Sequence, residues 1–325
     1  MATLKDVARE TGLTVSTVSR VLNNRGYISQ EARKKVQEAM RKLDYQPNEM
    51  ARALSKKTSN TIGVILPRID HPYFARLLHN LENAAYRNDY KLLLFNSREK
   101  DEKENEYIEI CKSARVAGIV MCSGTVDASR FQGLNVPLVT IECFLENGTA
   151  GIECDNMLGG KLAAKHLYEK GCKNVVYLCG RDPGIVTEDN RKEGFLTVCR
   201  QVGMNCISVD DIQKECFQAM DFREHIESVL DQYPEVDGIF GFDVIAAQVL
   251  QVCRKKGLTV PEQIKVIGFD DSLISELTAP ALTTIHQPMA EMAELAITTV
   301  IKAKNNELVP NRTVLPVSLV ERETT

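Results

Sequence analysis

The sequence predicts a small all-α head at the N-terminus, followed by an α/β body with two parallel, doubly wound sheets. Apolar residues recur at helical spacing in the first 45 positions. From Thr61 onward, short apolar runs alternate with longer amphipathic stretches, which is typical of parallel strands joined by crossover helices. The charge also divides: residues 1–60 hold 12 Lys and Arg against 6 Asp and Glu, whereas residues 61–325 hold 28 against 38.

Two short helices meeting at a sharp turn are predicted at the start of the chain. Leu4, Val7 and Ala8 lie on one face of the first helix, and Gly12 then allows a left-handed backbone. Thr14 is placed to cap the second helix, because its hydroxyl can accept a backbone N–H from the first turn. The pattern predicts a helix-turn-helix.

The second helix has an apolar stripe at Val18, Val21 and Leu22, which leaves hydroxyl, apolar and basic side chains in its first turns. Such groups reach phosphates and base edges when a helix enters the major groove. Spacing alone is equally compatible with any small helical pair, but a basic head on an acidic body favours double-stranded DNA as a partner. The residues concerned are Thr14, Val15, Ser16, Thr17, Ser19 and Arg20.

A third helix, capped by Ser29, completes the head and ends before Pro47. Residues 48–57 favour helix but are too few to form a stable one alone in water. We therefore expect a DNA-binding domain at 1–46, a hinge helix and linker at 47–60, and the α/β body at 61–325.

Eight strands are predicted in the body, in two similar series. Residues 115–123 and 235–243 share a pattern, which indicates two related sheets. The first series is 62–67, 91–96, 118–122 and 137–142, and the second is 174–179, 205–209, 238–242 and 264–269.

Open α/β sheets bind ligands beyond the carboxyl ends of their strands, so two facing lobes predict a small-molecule site in the cleft between them. Polar and aromatic residues suited to a polyol follow several predicted strands. They are His71, Tyr73, Phe74, Ser123, Glu142, Asp243 and Asp270.

Several other classes of protein are disfavoured. There is no apolar run of 18 residues and no secretion signal, so we expect a cytoplasmic protein rather than an exported sugar-binding transport protein. The ten cysteines are scattered without a C-x-x-C pair and are expected to be buried thiols. No nucleophile elbow, phosphate loop or cluster of metal ligands is present, which disfavours an enzyme and predicts no cofactor or metal.

Six segments, in order, resemble signatures of the lactose-repressor/galactose-repressor family of bacterial transcription regulators, nearest to its sucrose and fructoside operon repressors. The segments are 4–8, 15–23, 45–48, 51–54, 266–271 and 282–288. The resemblance covers the whole chain and implies that residues 61–325 form a two-lobed effector-binding and dimerisation domain, like the body of periplasmic binding proteins. It also implies a homodimer on a palindromic operator, acting as a repressor of sugar-utilisation genes.

The resemblance also implies roles for residues. Val15, Ser16 and Arg20 match base-contacting positions, in a recognition helix that runs to Asn23. Leu54 matches a residue that wedges into the minor groove; the alternative is an apolar contact between hinge and body. Arg191 matches a ligand-gripping arginine with Asp270 as its partner, although a structural ion pair would also explain both.

Further effector contacts are implied less specifically, as either ligand contacts or scaffolding of the cleft. They are His71, Phe74, Ser123, Glu142, Asp155, Phe217, Asp243 and Gln287. A small sugar such as fructose or sucrose is the expected effector. The sequence leaves open whether the effector is an inducer or a corepressor, and whether a phosphocarrier protein is a second partner.

Overall fold

The computed structural model of the protein describes residues 2–23, 26–45, 59–98, 100–122, 136–143, 145, 148–178 and 188–325. The chain divides into two compact units, Met1–Ser59 and Asn60–Thr325. The hinge expected at 48–57, with Leu54, lies outside the described residues, as does Ser123.

The head contains three helices, α1 (Leu4–Thr11), α2 (Val15–Asn23) and α3 (Gln30–Lys42). The Thr3 hydroxyl and the Asp6 carboxylate accept each other's backbone N–H groups and so cap α1. Gly12 ends α1 with a φ of +70°. The expected cap of α2 is present, since Thr17 N donates to Thr14 Oγ1 at 3.2 Å. Buried residues of all three helices, including Val7, Val18 and Val36, form a small apolar core.

One sheet of the body has the strand order β11-β5-β4-β3-β1-β2, with every pairing parallel. We call this sheet and its helices lobe one. Its strands are β1 (Thr61–Leu66), β2 (Lys91–Asn96), β3 (Gly118–Met121), β4 (Leu138–Ile141), β5 (Ala150–Cys154) and β11 (Arg312–Leu315). Its helices are α4 (Pro72–Arg87), α5 (Asp101–Ser113) and α12 (Met289–Lys304), whose buried apolar faces pack on the sheet.

The second sheet has the order β12-β10-β9-β8-β6-β7 and belongs to lobe two. Its strands are β6 (Asn174–Tyr177), β7 (Asn205–Ser208), β8 (Gly238–Phe240), β9 (Lys265–Asp270), β10 (Thr283–His286) and β12 (Ser318–Val320). Its helices are α6 (Asn156–Glu169), α7 (Glu188–Val202), α8 (Lys214–Ala219), α9 (Arg223–Gln232), α10 (Asp243–Lys256) and α11 (Leu273–Leu277).

The two parallel sheets predicted from the sequence are confirmed with one correction. The edge strand β12 runs antiparallel to β10, so the second sheet is mixed. The eight predicted strands are all present, with ends within two residues of those predicted. Strands β5, β10, β11 and β12 were not predicted.

The chain passes between the lobes three times: after β5, after β10 and after β11. Two of these crossings lie at Asp155 and Gln287. The nine described cysteines are free thiols, and seven of them are buried. Among the described helices, none is long and apolar enough to cross a membrane.

Candidate functional site: a cavity between the lobes

A cavity of about 80 Å³ lies between the two lobes, at the carboxyl ends of strands from both sheets. Lobe one contributes Arg68, His71, Tyr73, Phe74, Cys122 and Glu142. Lobe two contributes Arg191, Phe217, Met220, Phe222, Phe242 and Asp270. The thirteenth lining residue is Gln287, at a crossing between the lobes.

The structure brings together seven of the ten residues that the sequence nominated for effector binding. They are His71, Phe74, Glu142, Arg191, Phe217, Asp270 and Gln287. Asp155 and Asp243 do not line the cavity, and Ser123 is outside the described residues.

Arg191 is positioned by a close crossing of helices α6 and α7. A Cβ atom on Gly160 would lie 2.0 Å from the carbonyl oxygen of Arg191, and one on Gly194 would lie 2.2 Å from that of Met157. No side chain fits at these distances, so only glycine at both positions permits the two backbones to touch. The crossing fixes the first turns of α7, and with them Arg191, at the wall of the cavity.

The Arg191 guanidinium is held from two sides. Its Nε and Nη2 donate to Asn156 Oδ1 at 3.1 and 2.9 Å, and its Cζ lies 3.4 Å from the centre of the Phe269 ring. The Nδ2 of Asn156 donates to Glu142 Oε2 at 2.9 Å, which links lobe two to lobe one. A buried guanidinium stacked on an aromatic face and oriented by an amide is fixed before a ligand arrives.

Asp270 lines the same cavity as Arg191. Its Oδ1 accepts from Gln287 Nε2 at 2.7 Å, and its backbone has a φ of +120°, which is rare outside glycine. Burial raises the pKa of Asp270 well above its usual value, the negative charge of Asp243 raises it further, and Arg191 acts in the opposite direction. Such backbone strain at a polar cavity residue is common at binding sites.

Glu142 also has a left-handed backbone, with a φ of +57°. Its Oε1 accepts from the backbone N–H of Cys154 at 2.6 Å. Burial raises the pKa of Glu142, while that hydrogen bond, the one from Asn156 and the positive Arg191 oppose the rise.

Two buried polar atoms of the cavity have no hydrogen-bond partner in the described part of the chain. They are the Tyr73 hydroxyl and Gln287 Oε1. An unsatisfied buried polar group costs about 1–3 kcal/mol, so such groups need a partner. Together with the second oxygen of Asp270, they offer donors and acceptors to a ligand rich in hydroxyl groups.

Aromatic side chains form the apolar part of the cavity wall. The Phe217 and Phe222 rings are 5.2 Å apart and nearly perpendicular, and His71 lies 6.0 Å from Phe242. His71 Nδ1 accepts from the Tyr73 N–H and so caps α4. Burial and the nearby Arg68 lower the pKa of His71 to about 4, so this imidazole is neutral at pH 7. Among the described residues, no group of three or more His, Cys, Asp or Glu is placed to hold a metal ion.

Asp155 and Asp243 instead stabilise the framework of the cavity. Asp155 caps α6 by accepting from Leu158 N at 2.8 Å, where the chain enters lobe two. Asp243 is fully buried and accepts from Ser272 N, Ser272 Oγ and Thr284 Oγ1 at 2.6–2.8 Å. Burial raises its pKa to about 6, and these hydrogen bonds oppose the rise.

Sequence reasoning missed five lining residues: Arg68, Cys122, Met220, Phe222 and Phe242. Tyr73, which the sequence singled out after the first strand, does line the cavity. Arg68 Nη1 donates to the carbonyls of Phe217 and Gln218, and Arg76 Nη1 donates to that of Asp271 at 2.6 Å. These two arginines therefore form hydrogen bonds between the lobes.

The head exposes one face of α2. Thr14, Val15, Ser16 and Arg20 are exposed, and Val15 keeps 41 % of its surface in water, whereas Val18 is fully buried. Thr17 and Ser19 are partly exposed, and the side chain of Asn23 is outside the described part of the chain. The Thr14 hydroxyl lies 2.9 Å from that of Ser16 and 2.8 Å from that of Thr17. Arg20 has no carboxylate partner among the described residues.

Two family descriptions match this chain. Residues 3–48 match the bacterial regulatory proteins of the lacI family, and residues 164–325 match a periplasmic binding protein-like domain. The ribose operon repressor of Bacillus subtilis is 36% identical, over 100% of this chain and 99% of its own length. The sucrose operon repressor of Streptococcus mutans is 32% identical, over 99% of both chains.

Solved structures match as well. A periplasmic binding protein/LacI transcriptional regulator from Alkaliphilus metalliredigens, complexed with D-xylulofuranose, is 34% identical with a TM-score of 0.73. The match covers 82% of this chain and 99% of that one. The lac repressor dimer bound to operator has a TM-score of 0.87 at 24% identity, over 99% of this chain and 98% of the other, which shows the shared fold.

Proposed function

The chain belongs to the lacI family of bacterial regulatory proteins, and on that premise we propose that it is a cytoplasmic repressor of sugar-utilisation genes whose DNA binding responds to a small sugar. Its relatives are repressors, so it is a DNA-binding regulator and not an enzyme. The operon, the sugar and the mechanism of response are the parts that we propose.

The exposed face of α2 is the observation that supports DNA binding. Val15, Ser16 and Arg20 stand in water, while Val18 and Val21 on the opposite face fix the helix to the head. In the major groove an arginine can donate two hydrogen bonds to guanine, and an apolar side chain can contact a thymine methyl group. Thr14, Thr17, Ser19 and Asn23 complete the proposed surface by contacts with phosphates or base edges.

The test is a titration of the full chain against a palindromic duplex and a scrambled duplex at one fixed salt concentration, because phosphate contacts make affinity depend on salt. We expect the palindrome to bind at least about a thousandfold more tightly. Equal affinities would contradict specific recognition.

The cavity between the lobes is the proposed effector site. Arg191, Asp270, Gln287 and Tyr73 offer donors and acceptors around a partly aromatic wall, which is the pattern of a site for a small polar ligand. Fructose and sucrose remain our first choices, and a related structure containing a ketose furanose supports this class.

In the proposed mechanism, a sugar changes the balance between more closed and more open lobes. The hydrogen bonds from Arg68 and Arg76 across the cleft belong to the closed arrangement. In a homodimer the change alters the separation of the two hinge segments at 47–60, which form or melt with Leu54 as the minor-groove wedge. A coupling of about 1–3 kcal/mol changes operator affinity about 5- to 150-fold.

The dimer is tested by sedimentation of the purified chain with and without the palindromic duplex. We expect one dimer per duplex, because a two-fold symmetric site matches a two-fold symmetric protein. Binding as a monomer would contradict the paired-hinge mechanism. A phosphocarrier protein as a second partner has no support in the structure or the relatives.

A further inference from the structure

Asn156 is a buried polar residue beside the cavity that the sequence did not nominate. It is 3 % exposed and does not line the cavity. It begins α6, directly after the crossing from β5 into lobe two, and Asp155 fixes the backbone there by capping the helix. The side chain of Asn156 lies between Glu142 on the wall of lobe one and Arg191 on the wall of lobe two.

The amide of Asn156 is fully hydrogen-bonded within the protein. Its Oδ1 accepts from Arg191 Nε and Nη2 at 3.1 and 2.9 Å. Its Nδ2 donates to Glu142 Oε2 at 2.9 Å and to the carbonyl oxygen of Cys154 at 3.3 Å. An asparagine amide has two donor hydrogens and two acceptor lone pairs, so these contacts use its full capacity. The reverse orientation would set donor against donor and acceptor against acceptor, so only one orientation of the amide is possible.

The chemistry of the two neighbours requires a group that both accepts and donates. A guanidinium has donors alone, and an ionised carboxylate has acceptors alone. A carboxylate between Arg191 and Glu142 would accept on both sides, and an apolar side chain would leave a buried polar group unsatisfied on each side. The amide of Asn156 therefore matches both neighbours at once.

The two contacts of Arg191 have different effects on its guanidinium. The Phe269 ring, 3.4 Å from Cζ, supports the flat face but does not fix the rotation of the group within its plane. The two hydrogen bonds to Asn156 Oδ1 fix that rotation, and with it the direction of the third nitrogen, Nη1. The orientation of Arg191 therefore depends on Asn156.

Asn156 also affects the charge of Glu142 in lobe one. Burial raises the pKa of this carboxyl group, whereas the hydrogen bonds from the Cys154 N–H and from Asn156, together with the positive Arg191, oppose the rise. The amide thus supports the ionised form of Glu142, which is the form that accepts both hydrogen bonds.

We propose that Asn156 is the positioning residue of the effector site, which orients Arg191 toward the ligand and couples it to Glu142 across the two lobes. Asn156 itself does not touch the ligand. A sugar bound at Arg191 in lobe two is thereby linked to lobe one. This inference rests on the proposed sugar-binding function and adds the residue that joins the two walls of its site.

The test is calorimetric titration of the full chain and of Asn156→Asp with D-fructose, D-ribose and sucrose. The substitution keeps the size of the side chain and an acceptor for Arg191, but it turns the hydrogen bond with Glu142 into a contact between two carboxyl groups. At about pH 9 both groups are ionised and repel each other, whereas near pH 5 they share a proton and the hydrogen bond returns.

We expect Asn156→Asp to bind sugar at least about tenfold more weakly than the unaltered chain at about pH 9, and about equally near pH 5. The two proteins are compared at each pH, because the shifted carboxyl groups of Asp243 and Asp270 and the imidazole of His71 are present in both. Packing alone does not predict a loss that a proton reverses.

A double variant tests the same pairing by reversal. Glu142→Gln combined with Asn156→Asp exchanges the amide and the carboxylate, so that the glutamine nitrogen donates to the new carboxylate and the charge of the site is unchanged. We expect the double variant to bind sugar at about pH 9 about tenfold more tightly than Asn156→Asp alone. Its affinity relative to the unaltered chain should not depend on pH.

Asn205→Asp is the charge-matched control. Asn205 is exposed at the start of β7 and does not line the cavity, so this variant should bind sugar like the unaltered chain at every pH. A loss in Asn156→Asp that is the same at both ends of the pH range and persists in the double variant would overturn the assignment. So would a failure of both variants to fold, measured by circular dichroism, because Asn156 would then be structural alone.

Other outcomes separate this inference from the proposed function. If sugar binds Asn156→Asp and the unaltered chain equally at about pH 9, the positioning role is wrong and the sugar-responsive repressor stands. If no sugar binds the unaltered chain while the operator is still recognised, the sugar-binding proposal fails, and the positioning role fails with it.

Discussion

The head and the body place their functional groups in opposite environments. On α2 the proposed DNA-contacting side chains Val15, Ser16 and Arg20 are exposed, and the apolar core of the head is formed by other residues. In the body Arg191, Asp270 and Gln287 are buried and bonded to the framework that holds the lobes together. Function and stability should therefore be separable in the head and coupled in the body.

The largest expected effect comes from the helix crossing that positions Arg191. Gly194→Ala places a Cβ atom 2.2 Å from the Met157 carbonyl oxygen, so α6 and α7 must separate. We expect the body to lose at least about 3 kcal/mol of unfolding free energy, together with its sugar binding. Urea unfolding followed by circular dichroism measures the first, and calorimetry the second.

Gly12→Ala in the head is the matched control. Gly12 has a φ of +70° but nothing within 4 Å of an added Cβ, so the substitution costs only about 1 kcal/mol of backbone strain. Sugar binding should be unchanged. An equal loss of sugar binding in both variants would contradict the separation of the two regions.

The contribution of His71 to the stability of the body should fall as the pH is lowered, whereas the raised pKa of Asp243, about 6, acts in the opposite direction. The pKa of His71 is about 6.5 in the unfolded chain and about 4 in the folded protein, because burial disfavours the imidazolium. Below pH 6.5 the unfolded state binds a proton that the folded state does not, so the folded state loses up to about 3 kcal/mol by pH 4.

His71→Asn removes this titrating group and keeps a residue that can cap α4. We expect the unaltered chain to lose up to about 3 kcal/mol of unfolding free energy relative to this variant as the pH falls from 6.5 to 4. His79→Asn, on an exposed position of the same helix, should leave the dependence unchanged. If the two variants behave alike, His71 is not the source of the pH dependence.

Arg191→Lys tests the guanidinium while keeping its charge. Lysine cannot place two donors in the fixed planar geometry that now engages Asn156 and faces the cavity. We expect a loss of about 30-fold in sugar affinity, which corresponds to about 2 kcal/mol. Operator affinity without sugar should stay the same, and a fall in both would point to a structural role alone.

Arg20→Ala should have the smallest energetic effect, and it should separate DNA binding from the stability of the head most clearly. We expect a loss of about tenfold in affinity for the operator, with no change in the unfolding free energy of the head. Lys34→Ala, an exposed lysine on α3, removes the same charge and should weaken operator and scrambled DNA equally or not at all. If Arg20→Ala unfolds the head, the DNA-contacting face of α2 is not independent of the stability of the head.

Local patterns predicted most of the fold. Six of the eight predicted strands are short apolar runs that the parallel sheets bury on both faces, whereas the edge strands β2 and β7 are partly exposed. The missed strand β11 begins with Arg312 and reads as polar, and β12 is only three residues long. The three passages between lobes depend on contacts distant in sequence, which no local pattern encodes.

Part of the cavity was also predictable from local patterns. His71, Glu142 and Asp270 follow strands, and the carboxyl ends of parallel strands meet at one edge of a sheet. Asp243 follows a strand too, yet its carboxylate turns to Ser272 and Thr284, because α10 begins there. Which way an acidic side chain turns is decided by tertiary contacts, so sequence alone did not separate Asp243 from Asp270.

The most direct test of the account is operator affinity with and without millimolar sugar, at one salt concentration, for the unaltered chain and Arg191→Lys. The duplex is a palindrome with a central C-G step, and the sugars are fructose and sucrose. We expect at least one sugar to change the affinity of the unaltered chain at least about fivefold, and that response to disappear in Arg191→Lys. A response of equal size in both proteins would show that the cavity at Arg191 does not control DNA binding.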